Sequence, residues 1–255
     1  MLKRIDDRKM RRQTIVITIL ALIAVVILWN IRELEALVYP LRLFVTYVHE
    51  ASHSLAALIT GGSVQGFTIS ENGSGVATTL GGSRAFILPA GYLGAALFGS
   101  MLFFLSNRIP RWVRGLSIFI GAFILVFTLV FARPDETGSL AALFIGLGFG
   151  AVMLLMGWKA PRIVNLFILN TLAVMTALNA VLDVWMLVSY SDASRGAVMN
   201  DAAAFSAQVT PALPTPVIAF NWSAAAVAML ATAVYFGMIQ PLRQEVSDTL
   251  NGALE

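Results

Sequence analysis

Seven apolar runs, each close to the ~20 residues that carry a helix across a hydrocarbon core, dictate what this chain can become. They cover residues 14–29, 41–60, 85–105, 113–131, 140–158, 163–189 and 217–239. In lipid every backbone N–H and C=O must be bonded within the protein, so runs of this length read as helices. The composition agrees: charged residues make up 12% and the mean hydropathy is +0.81, against about 25% charged residues in soluble domains. Soluble globular, disordered and nucleic-acid-binding classes are excluded together. No cysteine is present, which removes disulfides and thiolate metal sites. The expected fold is an all-α polytopic membrane protein of six to seven hydrophobic helical segments. A single domain spans 14–240, between a basic cytoplasmic N-terminus, 1–13, and a polar tail, 241–255.

A basic flank before an apolar run also marks a signal peptide. No small-x-small cleavage pattern precedes residues 30–33, so the first run is read as a retained span. Two connections are long. The first, 61–84, is rich in Gly, Ser and Thr, with alternating stretches at 64–70 and 76–80 around Asn72–Gly73–Ser74–Gly75; it reads as a short β-hairpin or re-entrant loop. The second, 190–216, carries Asp192 and Asp201. Basic residues separate two topologies. Simple alternation of seven spans places 9 of the 17 inside and 8 outside, whereas a stretch 41–84 that enters and leaves on one side gives 12 and 5. The positive-inside rule favours the second arrangement.

The only two histidines are His49 and His53, in His49–Glu50–Ala51–Ser52–His53 within an apolar run. Residues four apart share a helix face, so both imidazoles can reach one metal ion, with Glu50 placed to take a proton from water. Zinc suits this donor set: it binds imidazole nitrogen at about 2.0–2.1 Å and, in catalytic sites, leaves a position open. An accidental match on an ordinary helix is disfavoured, because a carboxylate at mid-membrane costs about 2.5–3.5 kcal/mol and is rarely kept without a partner. A third protein ligand is needed and must be a carboxylate. Of the fourteen acidic residues only Glu50 and Asp183 lie within apolar runs, and Asp183 shares a helix face with Thr176 and Asn179. Asp192 and Asp201 compete from the long loop, although Asp201, ahead of Ala202–Ala203–Ala204–Phe205, reads as a helix N-cap. Asn179, with Asn72 and Gly73 at the hairpin turn, are candidates for supporting the ligands or binding substrate. A strand edge beside the metal could hold an unwound peptide by β-addition. The glycines Gly91, Gly94 and Gly99 read as points of close helix contact.

The run Val48–His49–Glu50–Ala51–Ser52–His53–Ser54–Leu55–Ala56–Ala57–Leu58, followed by Thr60–Gly61–Gly62, resembles the zinc helix of the M50 (site-2 protease) family of intramembrane metalloproteases. Leu88–Pro89–Ala90–Gly91–Tyr92–Leu93–Gly94 is similar to the M50B-like branch. The resemblance implies one Zn2+ per chain held by His49 and His53, Glu50 as general base, and Leu182–Asp183 as the third-ligand position. The chain differs from the family pattern in having Val184 where a glycine follows the aspartate. A membrane-protein or peptide substrate is implied as partner, in a bacterial cytoplasmic membrane. The rival expectation is a metal-binding or scaffold member of the family without proteolytic turnover.

Overall fold

The computed structural model describes residues 2–189, 200–244 and 246–247, and side chains from 9 to 182 within the first stretch. Helix α1, Leu2–Asn30, carries the basic N-terminal segment and the first apolar run as one continuous element. Helix α2, Glu35–Ile59, is followed by strands β1, Ser63–Ile69, and β2, Gly75–Leu80. Then come α3 (Arg84–Arg108), α4 (Val113–Phe131), α5 (Ala141–Lys159), α6 (Arg162–Ser189), the short α7 (Asp201–Gln208) and α8 (Thr215–Val234). A π-helical turn, Tyr235–Ile239, extends α8.

Among the described residues, six helices are long and apolar enough to cross a membrane: Lys9–Asn30, Arg84–Arg108, Pro110–Phe131, Ala141–Lys159, Arg162–Leu182 and Thr215–Gln244. The one apolar run missing from this set is α2, whose 25 residues include Glu35, Arg42 and Glu50. Six crossings are what the arrangement with 41–84 on one side requires. The inner face of α2 is buried through Phe44, Tyr47, Val48 and Ala51, which join Leu102 and Phe103 of α3 and Leu169 and Leu172 of α6 in the main core.

Small residues let the helices touch. A Cβ on Gly99 would lie 2.7 Å from the Ala173 carbonyl and the Ala177 nitrogen, so α3 and α6 meet backbone to backbone. Gly121 and Gly150 do the same for α4 and α5. Three polar side chains inside the bundle are bonded in series: Thr18 Oγ1 donates to Asn107 Oδ1 at 2.5 Å, and Asn107 Nδ2 donates to Asn170 Oδ1 at 2.6 Å, joining α1, α3 and α6. Tyr47 donates to the Ile124 carbonyl at 3.1 Å, fixing α2 against α4.

The hairpin lies where the sequence pattern predicts it. It is antiparallel, pairing Phe67 with Ala77 and Ile69 with Gly75, with a register shift between Val64 and Gly66. Phe67 and Ile69 are fully buried and hold β1 against the bundle. The outer edge of β1 is closed by the α4–α5 loop, since Arg133 N–H donates to the Phe67 carbonyl at 2.9 Å. Ser70 Oγ donates to Asp135 Oδ2 at 2.9 Å. Hydrogen bonds, led by that of the Thr137 hydroxyl, lower the Asp135 carboxyl from 3.8 to about 2. One edge of β1 is therefore occupied by a loop, and the opposite edge of the hairpin belongs to β2.

Gly99→Leu is expected to overpack the α3–α6 contact at a cost of about 1–3 kcal/mol, read as a lower thermal midpoint in detergent. Substitution of the exposed Leu97 by Ala should leave the midpoint near wild type. Equal midpoints for both variants would contradict the contact.

Candidate metal centre

Helix α2 brings the two imidazoles to one face, as their spacing predicts. His49 Nε2 lies 3.1 Å from His53 Nε2, and both lie 3.2 Å from Asp201 Oδ2. These three ligand atoms form a nearly equilateral triangle. A tetrahedral shell with bonds of ~2.05 Å has edges of about 3.3 Å, so the triangle matches one face of such a shell.

The chemistry of the donors supports a cation there. His53 Nδ1 is 2.7 Å from the Ile87 carbonyl, which can only accept, so this nitrogen carries the proton. In the neutral form that a metal requires, the ring presents its lone pair at Nε2, toward a carboxylate oxygen and a second imidazole nitrogen. One proton on His49 cannot satisfy all three atoms, whereas a divalent ion can. The Ile87 bond also fixes the ring's orientation, the role that carbonyl partners play for metal-ligating histidines.

Space for an ion comes from α3. A Cβ on Gly91 would stand 2.3 Å from His49 Nε2 and 2.4 Å from His53 Nε2, about a metal–ligand bond length from each. The sequence pattern reads Gly91 as a helix contact, and the contact turns out to be with the imidazoles. Tyr92 places its ring edge-on to His49, with centroids 4.7 Å apart.

Glu50, 5% exposed, points to the hairpin. Its carboxylate accepts from the Ala77 backbone N–H. A Cβ on Gly75 would lie 2.6 Å from both Glu50 Cγ and Oε1, so only glycine leaves room for the carboxylate here. Thr46 Oγ1 donates to the Gly73 carbonyl at 2.9 Å and ties the turn to α2. Phe67 and Ala77 direct backbone groups away from each other, to Arg133 and Glu50 respectively. By the alternation of an antiparallel ladder, Gly75, Ala77 and Thr79 turn their backbone groups outward on β2. All three line a cavity of about 370 Å³ that also contains His49, Glu50 and Asp201.

The remaining expected site residues lie as follows. Gly73 lines this cavity. Asn72 is exposed and closes the turn by accepting from Ser74 N–H at 2.9 Å. Asn179 lines a different cavity, of about 570 Å³, with Trp29, Arg32 and Arg42. The side chain of Asp183, on α6, and the whole of Asp192 lie outside the described residues. Asp201 is not the N-cap expected of it: Asn200 is, its Oδ1 accepting from Ala203 N–H at 2.8 Å. Asn caps as well as Asp, so the Asn200–Asp201 pair already held the signal that the aspartate was free for another task.

Gly91→Ala is expected to abolish tight binding of a divalent ion, measured as metal per chain in detergent, while the fold persists. Retention of metal at the wild-type level would contradict the role given to Gly91.

No curated protein and no solved structure matches the chain significantly. The sequence model of the family described as Peptidase M50B-like matches residues 18–233, which include all of α2, the hairpin and Asp201. The chain therefore belongs to the M50B-like peptidase family.

Proposed function

We propose that the chain is a zinc-dependent intramembrane endopeptidase that hydrolyses peptide bonds in or next to membrane-spanning segments. The observation that carries this reading is the coincidence of three elements in one cavity. They are the ligand triangle of His49, His53 and Asp201, the buried carboxylate of Glu50, and the outward edge of β2. Two nitrogens and a carboxylate oxygen form a donor set of the kind catalytic zinc uses, with one position left for water.

Zinc held there supplies Lewis acidity and brings the pKa of water from 15.7 to roughly 7. The chain's own residues do the rest. Glu50 takes a proton from the attacking water and delivers it to the amine nitrogen as the peptide bond breaks. Ala77 N–H keeps that carboxylate aimed into the cavity until it is needed. Helical carbonyls are already hydrogen-bonded, so the substrate must unwind, and the free groups of Gly75 and Thr79 offer it replacement bonds. His53 is kept in register by Ile87, and Gly91 keeps the ligand face clear.

The distribution of basic residues supports a multi-pass protein with the N-terminus in the cytoplasm and the metal centre toward the opposite face, in the bacterial cytoplasmic membrane that the family resemblance implies. The absence of cysteine makes this simple to test. A cysteine in place of Thr137, in the α4–α5 loop, should react with an impermeant thiol reagent from outside, and one in place of Gly115 only after the membrane is opened. The reverse labelling would overturn the orientation.

Glu50→Gln should keep about one zinc per chain and lose roughly 10²–10⁴-fold in cleavage of single-span reporter substrates, the range for a general base. Gly75→Ala should do the same by displacing Glu50 from β2. Wild-type zinc content without cleavage of any reporter would favour the scaffold reading, and undiminished cleavage by Glu50→Gln would remove the assigned role.

A further inference from the structure

The third ligand stands on an element that cannot hold itself in place. Helix α7 has eight residues, and isolated helices shorter than ~12–15 residues are marginal in water. Its position comes from docking. Ala202 is fully buried in a small apolar cluster with Ile218, Ala219 and Trp222, separate from the main core. Phe205 of α7 meets the Trp222 indole edge-on, with centroids 5.4 Å apart. On its other side the indole lies 6.2 Å from the Tyr92 ring, and Tyr92 in turn abuts His49. The aromatic series Phe205, Trp222, Tyr92, His49 thus runs from the helix carrying Asp201 to the imidazole that Asp201 faces.

We infer that Trp222 is a positioning residue for the metal centre: it seats α7 on α3 and α8, so that docking of α7 and retention of the ion at His49, His53 and Asp201 form one linked equilibrium. Trp222 is 7% exposed and is not one of the ligands. Its effect passes through the two residues it touches, one on each side of the site. Linkage is reciprocal: if a docked α7 tightens metal binding, bound metal must tighten the docking of α7 by the same factor. The inference rests on the metal-centre reading above and adds a control point that the ligand set alone does not show. Loosening the aromatic seat would release the ion without altering any ligand.

The test uses full-length protein in detergent and two measurements. Zinc affinity is obtained by chelator competition for wild type, Trp222→Ala, Trp222→Phe and Phe220→Ala, the last a substitution on the exposed side of the same helix. Trp222→Ala should bind zinc about 10–100-fold more weakly, as loss of an outer-shell partner does. Trp222→Phe should recover most of the affinity, and Phe220→Ala should match wild type. Amide hydrogen exchange over 201–208 in the wild type should slow when zinc is added, a readout that survives even if Trp222→Ala folds poorly. Unchanged affinity in Trp222→Ala, or exchange in α7 that ignores zinc, would overturn the inference while leaving the metal centre standing. A wild type that binds no zinc would overturn the centre itself and this inference with it.

Discussion

Everything near the site follows from the need to satisfy polar atoms where water is scarce. Two imidazole nitrogens and a carboxylate oxygen converge within 3.2 Å, and a second carboxylate, Glu50, is buried alongside them. In an apolar medium each such group is costly unless bonded. The chain answers by surrounding α2 rather than exposing it to lipid. Helix α3 contributes the Ile87 carbonyl and the bare Cα of Gly91; β2 contributes the Ala77 N–H and the bare Cα of Gly75. The two glycines act alike: each removes a side chain at the place where a ligand or a carboxylate must stand.

The same constraint separates α2 from the six long apolar helices. Its charged and candidate ligating residues would be poorly placed in hydrocarbon, and among the described residues it is packed by α3, the hairpin, α5 and α6 instead. Tyr47, bonded to the Ile124 carbonyl, anchors the face of α2 that looks toward α4. The site is thereby built on the packed face of α2, with one candidate ligand, Asp201, brought in by the short helix α7.

Much of this was legible in the sequence. Apolar runs of membrane length dominate local preference, so the helices and their order follow from periodicity and length. The hairpin follows from alternation on either side of Asn72–Gly73. His49, Glu50 and His53 are local in sequence, and a helix places them without help from anything distant. The third position was legible only as a choice among Asp183, Asp192 and Asp201, because which aspartate meets the histidines is set by tertiary packing. Asp201 lies 152 residues from His49, and an aspartate ahead of a run of alanines looks like a cap until Asn200 is seen to fill that role. Asn179, on a polar helix stripe, faces a different cavity because the rotation of α6 is fixed by Gly99 packing against Ala173 and Ala177, which no single helix pattern records.

The position of the β2 edge has a consequence in length. A helix advances 1.5 Å per residue and a strand about 3.3 Å. Under the proposed function, a substrate segment of about five residues laid along this edge would grow by roughly 9 Å on leaving its helix. A membrane span has no slack of that size in its middle, because both ends are anchored at the interfaces. The extra length is easiest to accommodate where one end of the span can slide outward. Geometry alone thus favours a bond near the terminus of a span, in a segment whose flank is free to move, over one at its centre.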